Sequence, residues 1–498
     1  MKVARPGSGL VDEFAAADVF AAADVHVARA LSRLGEDADE RVVLAVALAV
    51  RAVRLGSVCV DLRSVAESVG EQDEVEEGHT MLGAGALPWP EPEPWVAACL
   101  ASPLVAGSEG ARRPLHLAGS RLYLDRYWIQ EQQVRAALDE WASRTPPVVD
   151  TDRLRVLLQS LFPDDAPDHQ RLAAASAATG WFTVVAGGPG TGKTTTVARL
   201  LATLDGLADQ PIRVALAAPT GRAAARLQEA VTAEISGLGT TGVSGPGPFT
   251  ASTIHRLLGA RPGSTTRFWH NRSNHLPHDV VVVDEASMMS LTLVARLLEA
   301  LRPDSRLVMV GDPDQLVSVE AGAVLGDIVH RSPRPEPDAR LSTLRHVLPG
   351  DLQPRAEVES DLRADVVRLR RNFRFGAAAR LNELAGAVRL GDADKALAVL
   401  QSADASLEFV DVDAAQAGAS STAGLRADAV RGARDLVAAA EDGDAAGALV
   451  ALGRHRLLCA HREGPHGISH WRNQVHRWVV DGMPDYGRGE FYVGRPLL

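Results

Sequence analysis

The chain has 498 residues, 46% of them hydrophobic and 23% charged, and carries a net charge of -11. That balance excludes a disordered or fibrous polymer, and it excludes a surface that coats nucleic acid through bulk positive charge, while leaving a local basic channel open. Three well-separated cysteines (Cys59, Cys99 and Cys459) and the lack of any long apolar run argue against a disulfide framework, a zinc or iron–sulfur site and a membrane span. A soluble protein of the reducing cytoplasm is expected.

A chain this long exceeds one hydrophobic core, so several domains are expected. Residues 11–70 read as alanine-rich helices with one strand-like run, Ser57–Leu62, and Glu71–Trp95 as an acidic, Gly/Pro-rich loop. Leu115–Trp128 reads as a hairpin turning at Gly119-Ser120, followed by a helix to about Ser143 and a linker at Pro146-Pro147. From Asp168 the pattern changes to strand–loop–helix units. Phe182–Gly187, Arg213–Ala218, Val280–Glu285 and Arg306–Asp312 are short apolar runs suited to strands buried on both faces of a parallel sheet. A second α/β unit is expected from about Arg368, with strands at Ser406–Val412 and His455–His461. The expected fold class is α/β, with doubly wound parallel sheets behind a mainly helical N-terminal domain. The domains run 1–146, 147–362 and 363–498.

Lysine is nearly absent: Lys2, Lys193 and Lys395 stand among 52 Lys and Arg residues. Lys193 has a chemical reason to persist. Gly187-Gly188-Pro189-Gly190-Thr191-Gly192-Lys193-Thr194-Thr195 contains G-x-x-x-x-G-K-[ST] between a strand and a helix, the context of a P-loop that cradles phosphates. The glycines let backbone N–H groups and the helix N-terminus point at the ligand. Lysine reaches the β- and γ-phosphates as a compact point charge, which the planar arginine fork does poorly. Thr194 would offer its hydroxyl to Mg²⁺. ATP with Mg²⁺ is the expected ligand set, although this loop alone also serves kinases, transporters and GTPases.

Val280–Val283 runs into Asp284-Glu285 at a strand's C-terminal end, where doubly wound folds place their chemistry. Asp284 is expected to hold Mg²⁺ through water and Glu285 to act as general base on the attacking water, which a hydrolase needs and a transferase does not. Gly311-Asp312-Pro313-Asp314-Gln315-Leu316 follows another strand, and the neutral amide of Gln315 can sense a γ-phosphate.

The ordered set GGPGTGKTT, AAPTGRAAARL (Ala217–Leu227), TIHRLLG (Thr253–Gly259), VVVDEASM (Val281–Met288) and GDPDQL resembles the superfamily 1 DNA helicases. More narrowly it resembles the RecD family, the alpha subunits of RecBCD-type helicase–nucleases (exodeoxyribonuclease V). LRRNFRF (Leu369–Phe375), LLCAHREGPHG (Leu457–Gly467) and LYLDRYW (Leu122–Trp128) add to this likeness, which covers nearly the whole chain. The resemblance implies two RecA-like motor lobes behind a partner-docking N-terminal domain. It also implies ATP-dependent 5′-to-3′ translocation on single-stranded DNA at double-strand ends, RecB-like and RecC-like partner subunits, and a role in break repair by homologous recombination. By the same resemblance Gln170 recognises adenine, Arg374 is an arginine finger, and Thr220, Gly221, Arg222, Thr253 and His255 touch the single strand; a buried structural role stays open for His255. For Trp471 and Arg472 a helix packing face weighs against base stacking.

The chain departs from the family pattern in one respect. A V-T-x-H-x-x-Q-G segment and a closing A-x-T-R-A arginine motif are absent, so the second lobe is expected to be incomplete. A truncated, nucleotide-binding scaffold subunit without motor activity therefore stands as the alternative. No cluster of carboxylates with a nearby lysine suggests nuclease chemistry.

Overall fold

The computed structural model describes residues 9–69, 87–107, 112–162, 169–238, 249–261, 267–315, 321–331, 337–352, 363–371, 379–402, 404, 407–412, 421–459, 464, 467–483, 486–487, 489 and 491–495. Two compact units divide it, residues 1–376 and 377–498.

The first unit opens with helices α1 (Leu10–Ala16), α2 (Ala22–Leu34) and α3 (Glu40–Arg54), and α3 is buried continuously from Val42 to Ala49. Strand β1 (Cys59–Asp61), helix α4 (Pro92–Ala101) and strands β2 (Val105–Ala106), β3 (Leu115–Ala118) and β4 (Arg121–Leu124) follow. The strands form a sheet in the order β1-β4-β3-β2. The expected hairpin is present: β3 and β4 pair antiparallel, and Gly119 takes φ +64° in a turn that a Cβ would strain. Phe14, Leu44, Leu48, Trp95 and Leu122 share one core there.

Helix α5 (Asp125–Ser143) leaves this sheet and packs on the α/β region that follows. Its Val134 and Leu138 belong to the same buried cluster as Val281, Val283 and Leu297, and Thr292 donates to Gln130 Oε1 at 2.9 Å. The N-terminal region and the α/β region thus share a core through one helix.

The α/β region comprises α6 (Thr151–Leu161), α7 (His169–Thr179), β5 (Phe182–Gly187), α8 (Lys193–Leu207), β6 (Val214–Ala218), α9 (Gly221–Leu238), β7 (Ala251–Thr253), α10 (Ile254–Leu258), β8 (Val280–Val283), α11 (Leu291–Ala300), β9 (Arg306–Gly311), α12 (Val324–His330), α13 (Asp338–Val347) and β10 (Val366–Leu369). All pairs are parallel, in the order β10-β5-β9-β8-β6-β7. Alternation assigns the two faces. Val185, Leu216, Val280, Val282, Val308 and Val310 enter one cluster, while Val184, Ala215, Val281, Val283, Leu307 and Met309 enter the other. Continuous apolar runs are required because both faces are covered.

Two expectations are corrected here. Val366–Leu369, read as the start of the second unit, pairs with β5 as the edge strand of the first sheet. In the second unit the described residues form α14 (Ala379–Arg389), α15 (Ala393–Leu400), α16 (Ala423–Glu441), α17 (Ala445–Arg454) and α18 (Ile468–Gly482), with no strand among them. The described parts of the two expected strands, residues 407–412 and 455–459, have no ladder partner among the described residues, and Phe409, Val410, Val412, Leu457 and Leu458 are exposed. A strand exists only with a neighbour to take its N–H and C=O groups. Trp471 lies edge-on to the buried Trp478 at 6.2 Å, the packing face expected of it, and Arg472 is exposed.

Candidate nucleotide site and strand-facing edge

The P-loop joins β5 to α8, and its shape depends on glycine at defined points. Gly190 and Gly192 take φ +79° and +78°, backbone that disfavours any Cβ. A Cβ on Gly187 would lie 2.6 Å from Thr191 Oγ1 and 3.1 Å from Leu369 Cβ, so β10 closes the loop from behind. Thr191 donates its hydroxyl to Gly188 O at 2.8 Å, and Thr196 bonds Gly192 O through both backbone N–H and hydroxyl, each at 2.9 Å. Thr195 donates to Glu234 Oε1 at 3.0 Å, tying α8 to α9. Pro189 is exposed at the loop's tip.

Lys193 folds back over this frame, its Nζ donating to the carbonyls of Gly187 at 2.6 Å and Gly188 at 3.1 Å. The ammonium therefore sits inside the loop, where phosphate oxygens compete with those carbonyls. Thr194 is half-buried, and among the described residues its hydroxyl has no hydrogen-bond partner.

Adjacent strands bring the other groups to the same edge. Ala186 pairs with Gly311 and Val283 with Met309, so the loop, Asp284-Glu285 and Asp312 all follow C-terminal strand ends in β5, β8 and β9. Asp284 N–H donates to Ala217 O at 2.9 Å, fixing the turn after β8. Burial pushes the Asp284 carboxyl above its ordinary value, and the neighbouring Glu285 charge acts in the same direction while Lys193 opposes it. Glu285 takes φ +51°, a left-handed conformation unusual for a side-chain-bearing residue. Gly311 is required beside it, because a Cβ would lie 2.6 Å from Leu325 Cδ2 and 3.2 Å from the backbone nitrogens of Ala286 and Ser287.

Gln315 is exposed, and its N–H donates to Asp312 O at 3.2 Å. Sequence reasoning passed over Asp312 itself, which is buried, accepts from Asp314 N at 3.1 Å, and faces Gly188 with Oδ2 3.9 Å from where a Cβ would stand. Its signal was the aspartate directly after the strand in GDPDQL. Gln170 is 5% exposed at the start of α7, and its amide donates to Thr191 O and Gly192 O, both at 3.4 Å. It is not a solvated residue. Arg374 lies outside the described residues.

The expected strand-contacting residues gather at the far side of the sheet. Ala218 pairs with Thr253, so Thr220 and Thr253 leave neighbouring strand ends. Each also caps a turn: Thr220 Oγ1 accepts from Ala223 N and Thr253 Oγ1 from Arg256 N, both at 3.2 Å. Gly221 and Arg222 are exposed in the first turn of α9. His255 is exposed too, its ring centroid 5.9 Å from that of Phe268, which removes the buried structural alternative.

The residues at the phosphate end fit a divalent cation. The half-buried Asp284 carboxylate and the unpartnered Thr194 hydroxyl beside a phosphate cradle are hard oxygen donors of the kind Mg²⁺ takes. Among the described residues no cluster of three or more His, Cys, Asp or Glu suggests another metal centre, and no helix is long and apolar enough to cross a membrane.

Known proteins share these features. Residues 16–123 match the family model described as the RecBCD enzyme subunit RecD, N-terminal domain, and residues 170–321 match that of an AAA domain. The RecBCD enzyme subunit RecD of Mycolicibacterium smegmatis is 47% identical over 97% of this chain and 77% of its own length. That of Mycobacterium tuberculosis H37Rv is 46% identical over 99% of this chain and 76% of its own. The ATP-dependent RecD2 DNA helicase of Deinococcus radiodurans is 41% identical over 30% of this chain and 18% of its own length. With that identity sustained through both the N-terminal region and the P-loop domain, the chain belongs to the RecD family.

Proposed function

We propose that the chain is an ATP-dependent translocase that moves 5′ to 3′ on single-stranded DNA. It would work with RecB-like and RecC-like subunits at double-strand ends during break repair by homologous recombination. The observation that supports this reading is the convergence of Lys193, Asp284-Glu285 and Gln315 on adjacent C-terminal strand ends, with Thr220 and Thr253 on the next two strands of the same sheet. Lys193 would bind the β- and γ-phosphates of ATP, displacing its ammonium from the loop carbonyls, and Gln170 would recognise adenine from beside the loop. Thr194 and Asp284 would hold Mg²⁺, which when bound neutralises phosphate charge. Glu285 would take the proton of the attacking water on its carboxylate. Gln315 would read the γ-phosphate through its exposed amide, and Arg374 would meet it as an arginine finger.

Thr220, Gly221, Arg222, Thr253 and His255 supply hydroxyl, backbone N–H and cationic groups suited to phosphates rather than base edges. A motor that must accept any sequence needs that chemistry. The test is ATP turnover with and without single-stranded DNA in the wild type and in Lys193→Gln, beside strand displacement on 5′-tailed and 3′-tailed duplexes with the partner subunits. Loss of turnover in the variant and unwinding from 5′ tails are expected. Unchanged turnover refutes the site, and unwinding only from 3′ tails refutes the direction. A scaffold that binds nucleotide without moving is favoured by one observation, the lack of any strand among the described residues of 377–498. Robust unwinding by the 498-residue chain removes it.

A further inference from the structure

In a chain with net charge -11, residues 235–278 contain no Asp or Glu, and between Thr253 and His278 lie four arginines and four histidines. This local reversal of charge surrounds Trp269, which is 60% exposed. Large aromatic side chains rarely stand in water at a rigid position without a partner that covers them.

The position is rigid. Trp269 N–H donates to Gly259 O at 2.9 Å and His270 N–H to Leu258 O at 3.0 Å, so the segment is stitched to the end of α10. The Asn271 and Asn274 side-chain amides donate to Trp269 O at 3.0 and 3.1 Å. Gly259, at φ +71°, leaves room for the indole: a Cβ there would lie 2.8 Å from Trp269 Cβ. The Arg261 guanidinium stands over the ring at 5.7 Å, a cation–π contact that leaves the indole flat and backed by positive charge. The preceding residue, Phe268, is buried and touches the ring of His255. Trp269 is thereby connected to the edge on which Thr253 and His255 stand. Arg272 is engaged by Glu299 at 3.1 Å.

We propose that Trp269 is a stacking platform for one base of a single nucleic-acid strand whose phosphates run past Thr253 and His255; this rests on the nucleic-acid reading above. Phosphate contacts grip a strand without sensing its bases, whereas an aromatic plane meets the π-face that every base has, and so adds affinity without sequence preference. Stacking is worth about 1–3 kcal/mol per base, which corresponds to roughly a 5- to 150-fold change in Kd.

The experiment measures Kd of the full chain for a dye-labelled oligothymidylate and for an abasic sugar–phosphate strand of equal length. Wild type, Trp269→Ala and Trp269→Tyr are compared, with thermal melting to report folding. Trp269→Ala is expected to weaken oligothymidylate binding by that factor with little change on the abasic strand, and Trp269→Tyr to recover most of the loss. Wild-type affinity for oligothymidylate in Trp269→Ala overturns the proposal and assigns the exposed indole to a protein partner. An equal loss on both strands in a variant that melts like wild type also overturns it. If the wild type binds neither strand, the nucleic-acid reading itself fails and this proposal falls with it.

Discussion

Gly192→Ala tests whether the loop's conformation, rather than its composition, makes the nucleotide site. Gly192 takes φ +78° and ψ +26° as the N-cap of α8, where an alanine costs roughly 1–2 kcal/mol. Alanine also restricts the unfolded chain, which offsets about 0.4–1 kcal/mol of that. A variant that keeps the native backbone is thus destabilised by at most about 1.6 kcal/mol. A variant that relieves the strain by rotating to negative φ loses more. Its carbonyl leaves Thr196 N and Oγ1, both at 2.9 Å, and the N–H groups that begin α8 swing away from the phosphate position. Losing one charge-assisted hydrogen bond of about 1.5–3 kcal/mol weakens nucleotide binding roughly 10- to 150-fold. The assay is an anisotropy titration with a fluorescent ADP analogue in Mg²⁺ buffer, beside thermal melting of the nucleotide-free protein. Gly237→Ala is the comparator, a helical glycine whose added Cβ meets nothing within 4 Å, and it should match or exceed wild-type stability. The reasoning is refuted if Gly192→Ala binds the analogue within twofold of wild type and melts where wild type does.

Asp284→Asn removes a carboxylate that burial holds above its ordinary value, so the nucleotide-free variant is expected to melt at or above wild type while ATP turnover disappears; a lower melting point contradicts the desolvation argument. Between α5 and α12, burial pushes up Glu131, with Asp327 adding to the shift, and burial likewise pushes up Asp327. Folded carboxyls with raised values hold protons that the unfolded chain has already released, so stability is greatest below the unfolded values and falls as pH rises through the folded ones. Asp327→Asn is therefore expected to stabilise the first unit at pH 7 and to flatten its decline from pH 4 upward. Urea unfolding at several pH values reads this directly, and a variant less stable than wild type at pH 7 speaks against it.

Features were legible in the sequence where chemistry is local. The P-loop needs only its own glycines, lysine and threonine between a strand and a helix, and the geometry at Gly190, Gly192 and Lys193 follows from those residue types. The apolar runs of β5, β6, β8 and β9 were legible because burial on both faces leaves few polar positions, Thr183 and Arg306 being the exceptions. What a run cannot carry is its neighbour. Val366–Leu369 has the same character as the other strands, yet only the register Val366↔Val184 assigns it to the first sheet. SLEFVDV and HRLLCAH have strand propensity, yet the described parts of them pair with no strand among the described residues.

The same distinction separates what each site residue does from where it stands. Thr220 and Thr253 were read as strand contacts from the motifs around them, but each hydroxyl already accepts a backbone N–H at 3.2 Å. A hydroxyl has a second lone pair and its own proton, so the cap fixes the oxygen's position without using up its capacity to meet a phosphate. Gln170 follows the same logic, since its amide donates to two loop carbonyls at 3.4 Å and so stands in a fixed place beside the loop. The motifs named these side chains, and the sheet's β6–β7 register and the loop's left-handed glycines give them fixed positions along one edge.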